Sequence, residues 1–432
     1  MSLPIKKSTL GNGLTVVLRE MHHAPVASFW IWYRVGSRNE KPGQTGVSHW
    51  VEHMMFKGSP AFPPGTLDRT VSRLGGRFNA FTWIDFTAYY ETMPSEHIAL
   101  SLDLEADRMV NAFMDEEAVN SERTVILSER HMYENQPMFL LHEELTSAAF
   151  RVHPYHHEVI GDEIDLETMT GEDLRGYYRR HYAPNNAVVV VAGDFDSEEM
   201  LAGIEERFGK VPASDPVAPV LRQEPPQRGE RRVTVSGPGD AAYLVHAYRA
   251  PAATDPDFYP LVLLNAAFAG GSSLGFFAGA GSNKSSRLYK ALVAADLAAS
   301  ASGSMTPTID PFLYRLSAVA RPGRSLAEIE TALDEALGRL AQEPIGEAEL
   351  EKALKRAKAQ FAMASESVTG QGQMIGMSEM VAGDYGWFES TLAQLGAVTP
   401  EDVERVRQQY LRPENRTVGW YVPAGNGSGQ AS

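Results

Sequence analysis

With 43% hydrophobic and 22% charged residues over 432 positions, the chain has the composition of a globular protein long enough for two cores. Its 39 Lys and Arg against 55 Asp and Glu leave a net charge of −16. That charge argues against a nucleic-acid partner, which calls for basic surface, while it attracts basic substrates. Cysteine is absent, so any metal site must use His, Asp or Glu. No secretory-type apolar core and no apolar run of transmembrane length is present, so no membrane partner is expected. The expected compartment is the cytoplasm, or the periplasm if a signal peptide has been trimmed.

After the turn Gly11-Asn12-Gly13 comes a predicted strand over 14–18, then a β-branched and aromatic strand over 26–35. Residues 46–58, GVSHWVEHMMFKG, read as a helix with His49 and His53 four apart on one face and Glu52 bordering that face. A further helix is expected over 67–74. Residues 75–93, GGRFNAFTWIDFTAYYETM, alternate as a strand pair joined near Asp85. Amphipathic helices follow over 97–114 and 116–133, the second carrying Glu122 and Glu129 seven apart. A loop over 154–161, a helix over 170–182 and a strand over 187–192 complete the first half.

Residues 212–232, PASDPVAPVLRQEPPQRGERR, are proline-rich and aperiodic and read as a linker. The domains expected are 1–211 and 233–424, with a disordered tail over 425–432. The second half repeats the first. Thr170, Glu172, Asp173, Pro184 and Asn186 recur in register as Thr399, Glu401, Asp402, Pro413 and Asn415. The helix of His49 aligns with LVLLNAAFAGG, where Leu261, Leu264 and Asn265 replace His49, Glu52 and His53, and Ala359 stands opposite Glu129. Two α+β domains are expected, each with helices packed on a largely antiparallel sheet. Only the first keeps metal-binding chemistry.

The order H-x-x-E-H inverts the thermolysin-type zinc motif. Catalytic zinc takes three protein ligands and leaves a position for water. His49 and His53 supply two, and Glu129, lost in the repeat, is the expected third. Glu52 is expected to act as general base on zinc-bound water. Glu122 is expected to hydrogen-bond a histidine ligand.

These residues resemble the pitrilysin and mitochondrial processing peptidase family, the inverzincins. H-x-x-E-H with a Glu 76 residues further on, ERTVILSE around Glu122, and GGRFNAFTWIDFTAYY carry the resemblance over nearly the whole chain. It implies a zinc metalloendopeptidase acting on peptides or unfolded protein segments. It also implies that Asn79, Ala80 and Phe81 lie on an edge strand where an extended peptide adds as a strand. Short members pair as two chains that close a clamshell, so this chain is expected to form half of one. The family's Arg and Tyr, which bind the substrate carbonyl, fall near Val293 and Ala299 here and are missing. Arg287 aligns with a different position. The resemblance therefore implies a homologous partner chain that supplies them, a heterodimer, with a homodimer when the chain is alone. The competing reading is a non-catalytic assembly or peptide-binding subunit of the same fold.

Other clusters have plainer readings. HPYHHE, with His153, His156, His157 and Glu158, reads as a structural loop. The glycine-rich run 270–288 lacks the order of a phosphate cradle. It reads as a mobile loop in which Phe276 and Phe277 offer a contact surface.

Overall fold

A computed structural model describes residues 4–271 and 284–424. The tail 425–432 and most of the glycine-rich run, with Phe276 and Phe277, lie outside the described residues. The chain divides into two compact units.

The first unit comprises Met1–Arg130, His157–Arg222 and Ser365–Phe388. Its strands are β1 (Lys6–Thr9), β2 (Thr15–Glu20), β3 (Val26–Tyr33), β4 (Arg77–Thr82), β5 (Thr87–Pro94) and β6 (Ala187–Gly193). They order as β1-β2-β6-β3-β5-β4. Only β2 and β6 pair in parallel. The central strands, VASFWIWY and AVVVVAG, are apolar on both faces and almost wholly buried, as a sheet covered on both sides requires. Helix Val368–Val381 packs on β3 and β6. It comes within reach of Trp30 and Trp32 because Gly372 and Gly376 have no side chain. A Cβ at Gly376 would sit 2.1 Å from Trp32 Nε1.

The second unit comprises His131–His156, Gln223–Ala364 and Glu389–Ser432. Its strands are β7 (Arg231–Gly237), β8 (Tyr243–Arg249), β9 (Ala298–Ser304), β10 (Leu313–Ala320) and β11 (Arg416–Pro423). The order β7-β11-β8-β10-β9 reproduces the first sheet without β1, down to its single parallel pair. The repeated residues do the same work in both units. Thr170 and Thr399 each cap a helix in a capping box with Asp173 and Asp402. Asn186 Nδ2 donates to His181 O at 2.8 Å, and Asn415 Nδ2 to Tyr410 O at 2.9 Å.

The units are not the two halves of the sequence. Helix Pro137–Ala149 packs on β7 and β11 of the second unit, and Val368–Val381 packs in the first. A division at 212–232 therefore gives way to an exchange of two segments, because each helix is needed to cover a sheet face. The proline-rich stretch is also anchored. Glu224 accepts the N–H groups of Arg151, Val152 and His153 at 2.8, 2.8 and 3.0 Å, and β7 begins at Arg231. Among the described residues no helix is long and apolar enough to cross a membrane.

Candidate metal centre

The helix Val47–Met54 starts at Gly46, whose φ of 85° is left-handed. A Cβ there would lie 2.4 Å from Ile160 O, so glycine is required twice over. The Glu40 carboxylate accepts from Gly46 N at 2.8 Å and Ser48 N at 2.9 Å, satisfying first-turn donors. Val47, Trp50, Val51 and Met54 are buried. Their burial turns His49 and His53 to a half-buried face, with ring centroids 4.6 Å apart. The helix Glu116–Glu134 buries Val119, Glu122, Ile126 and Arg130. Arg130 is tied to Gly161 O at 2.7 Å. That seating brings Glu122 and Glu129 to the histidines.

His53 Nε2 lies 3.5 Å and His49 Nε2 3.9 Å from Glu129 Oε2. One donor atom from each of the three residues falls within 4.8 Å of the others. Ligand atoms in tetrahedral zinc sites stand about 3.3 Å apart, so this set fits the ion with small adjustment. The donor chemistry fits as well. Burial, then the neighbouring His53, pushes His49 down to about 3, so its ring is neutral. His53 Nδ1 meets Glu122 Oε1 at 2.8 Å, and Lys57 pairs with the other Glu122 oxygen. Burial pulls His53 down, but the Glu122 bond and the charges of Glu52, Glu129 and Glu122 outweigh it and raise the net value. Burial opposes ionisation of Glu122, yet His53 and Lys57 hold it below the usual carboxylate range. Glu122 thus engages His53 at Nδ1 and leaves Nε2 toward Glu129.

Glu52 is 7% exposed on the same helix. Burial pushes its carboxyl up to about 7, against the pull of a hydrogen bond from Thr82 and the charge of His53. Thr82 closes β4, the outermost strand of its sheet. Asn79, Ala80 and Phe81 precede it on that edge. The Ala80 N–H donates to Asn79 Oδ1 at 2.9 Å, so it takes no part in the ladder to β5. Phe81 turns inward, its ring 5.9 Å from Trp32 and 6.3 Å from Trp30. Sequence reasoning missed Glu40, Lys57 and Thr82 as partners of this site. Period-2 alternation along β4 does put Thr82 on the face of Ala80, a signal that was available.

Among the described residues, His49, His53 and Glu129 are the sole set of three with metal-holding geometry. The histidines of HPYHHE do not gather. His153 Nε2 meets Asp310 Oδ2 at 3.1 Å, and His157 Nδ1 bonds the Glu158 carbonyl at 3.2 Å.

A sequence profile described as insulinase, peptidase family M16, matches residues 15–163, and one described as the peptidase M16 inactive domain matches 168–357. The chain belongs to peptidase family M16, the pitrilysin and mitochondrial processing peptidase family. An uncharacterized zinc protease from Streptomyces coelicolor is 27% identical over 423 residues, 96% of this chain and 89% of that protein. The mitochondrial-processing peptidase subunit beta of Lentinula edodes is 27% identical over 419 residues, 94% of this chain and 87% of that protein. The crystal structure of a protease from Helicobacter pylori superposes with a TM-score of 0.91 at 26% identity, covering 98% of this chain and 100% of that one. The fold also matches the periplasmic protease PqqL of Escherichia coli, TM-score 0.75 at 20% identity, where 98% of this chain covers 48% of that one.

In this M16 chain the counterpart helix pair of the second unit is Phe258–Phe268 and Glu347–Ala364, which pack together. Leu261, Leu264 and Asn265 are fully buried there, so the pair has become core. Val293 ends a helical turn, and exposed Ala299 lies on the edge strand β9. Arg287 is paired with Glu349, Nε to Oε1 at 3.0 Å, and donates to Glu343 O. Its guanidinium is committed within its own unit.

Proposed function

We propose that the chain is the zinc-bearing subunit of an endopeptidase that cleaves peptides or unfolded protein segments. The observation that carries this is the convergence of His49, His53 and Glu129 within 4.8 Å, with Glu52 on the same helix, one turn after His49 and next to His53. His49, His53 and Glu129 would hold the ion. Bound zinc acidifies water and polarises a carbonyl group. Glu52 accepts the proton of the attacking water on a carboxylate oxygen and passes it to the amine nitrogen as the C–N bond breaks. Glu122 keeps His53 Nδ1 engaged, which fixes the ring and leaves Nε2 for the metal. The edge of β4 binds an extended peptide by main-chain pairing, and the substrate displaces Asn79 from the Ala80 N–H.

The missing Arg and Tyr at Val293 and Ala299 support a homologous partner chain, and relatives include a protein named as a subunit. The decisive experiment combines metal analysis with hydrolysis of an unstructured peptide. The expected result is about one zinc per chain and cleavage. Glu52→Gln should retain the zinc and lose cleavage by at least about 10²-fold. Joint loss of zinc and activity in that variant would make Glu52 a ligand. A wild-type chain without stoichiometric metal would leave only a structural or peptide-binding role.

A further inference from the structure

The second unit, which carries none of the expected metal ligands, holds a cavity of about 470 Å³. That volume is usual for a small-molecule site. The stretch 223–227 forms one wall, fixed in place by the three N–H groups that Glu224 accepts. The end of β8, the loop at 310–311 and the segment 410–415 form the others. Pro225, Pro226, Pro251 and Pro311 line it, and proline rings give apolar surface with no N–H to satisfy. Tyr410 adds an aromatic ring whose hydroxyl is tied to Asp257 Oδ2 at 2.9 Å.

The charges in this wall are unequal in what they have left to offer. Each acid that lines the cavity already has a fixed donor. Glu224 holds its three N–H groups, and these outweigh burial and keep its carboxyl below the usual carboxylate range. Asp255 Oδ1 accepts the Asp257 N–H at 2.8 Å. His153 Nδ1 accepts the Tyr155 N–H at 3.2 Å, which leaves the ring hydrogen on Nε2, 3.1 Å from Asp310 Oδ2. The two arginines in the wall are different. Arg249 lies over the Phe150 ring at 4.3 Å, and its Nη2 donates to Ala149 O at 3.0 Å. Its Nε and Nη1 hydrogens have no acceptor among the described residues, and the nearest carboxylate, Glu224, is 3.6 Å from Nη2. Burial pushes its guanidinium down to about 10, only partly offset by Glu224. Arg412 is exposed and makes no side-chain hydrogen bond or ion pair among the described residues. A half-buried guanidinium with open donors, beside a second cation and an apolar wall, is completed by an anion that carries an apolar body.

We propose that this cavity is a binding site for an organic carboxylate with an aromatic or branched apolar body, its carboxylate held by Arg249 and Arg412 and its body against the prolines and Tyr410. The ligand bridges the stretch 223–227 to the sheet of the second unit. The site uses no residue of the metal centre and does not depend on the peptidase reading.

The test is calorimetric titration of the full-length, zinc-loaded chain with 3-phenylpropionate. The expected result is one molecule per chain with a dissociation constant of about 1 mM or tighter. The uncharged 3-phenylpropionamide should bind at least about 10-fold more weakly, and so should inorganic phosphate, which has no apolar body. Arg412→Ala should weaken 3-phenylpropionate by about 10-fold, and Arg249→Lys, which keeps the charge but loses the planar fork, by a similar factor. Zinc also attracts carboxylates, so the titration is repeated on His49→Ala, where affinity should be unchanged. A pentapeptide ending in a free Phe carboxylate then separates two sources of the same chemistry: tighter binding than 3-phenylpropionate assigns the site to peptide termini, weaker binding to free acids. Absence of binding, equal affinity for the amide or for phosphate, or loss of binding in His49→Ala overturns the proposal. Wild-type affinity in Arg412→Ala also overturns it, and because that side chain is exposed and unpaired this variant decides even where Arg249→Lys does not fold.

Discussion

Glu122 and Glu129 lie two turns apart on one helix, and burial gives them different work. Glu122 is 5% exposed and held by His53 and Lys57, so its oxygens are spoken for. Glu129 is half-buried with an oxygen toward both Nε2 atoms. Glu129→Ala should weaken zinc binding far more than His156→Ala or His157→Ala, as measured by metal titration, and the reverse order would move the site to the loop. These residues were legible because one helix face fixes the spacing of His49, Glu52 and His53, and a second fixes that of Glu122 and Glu129. The buried cluster of Glu91, Glu105 and Arg108 was not legible, since it joins β5 to the helix Ala99–Asn111. Arg108 pairs with Glu105, and its Nη2 lies 3.5 Å from Glu91 Oε1; it also stacks over Tyr89 at 4.4 Å. Burial, then the Glu105 charge, pushes Glu91 well above the usual carboxylate range, against the pull of Arg108. Glu91→Gln should leave the denaturation midpoint nearly unchanged. Arg108→Met leaves Glu105 buried and unpaired and should cost about 3–5 kcal/mol in chemical denaturation.

At the scale of elements, strands and helices with one polar face could be read from periodicity. β5 and the helix Glu116–Glu134 fall where the alternation and the 3.6-residue period put them, while β3 and β6, apolar on both faces, fall on β-branched and aromatic runs. Helix Val368–Val381 is buried on nearly every side, so no amphipathic period marks the sheet it joins. That is why the exchange of segments between the units was invisible in the repeat. The edge strand was legible only through the resemblance, because alternation cannot say which strand of a sheet is outermost. Its position supports a specific expectation. The Ala80 N–H is held by Asn79 and not by β5, so Ala80→Pro removes a donor from the open edge and spares the ladder. Peptide affinity, measured by calorimetry on a chain also carrying Glu52→Gln to prevent turnover, should collapse while zinc content holds. Unaltered peptide binding would refute strand addition at β4.

At the scale of the whole molecule, the first unit has a full donor set while the second has the same sheet and an apolar helix pair in its place. The second unit keeps its capping box, its asparagine lock and its parallel strand pair, with no metal-holding set of three among its described residues. The positions expected to carry an Arg and a Tyr hold Val293 and Ala299, and the nearby Arg287 is paired with Glu349. On the proposed reading, Val293 and Ala299 offer no side-chain donor to the developing oxyanion. Loss of one such donor costs about 10²- to 10³-fold in rate. Some turnover by the single chain is expected, since zinc alone polarises a carbonyl, but it should be slow. A homologous chain bearing the Arg and Tyr should raise kcat by about that factor on mixing and co-elute with this chain in size-exclusion chromatography. Replacing the partner's Arg and Tyr should abolish the gain without preventing co-elution, which separates donor chemistry from assembly. Full activity from this chain alone, unchanged by the partner, would defeat the heterodimer and require that other residues complete the site.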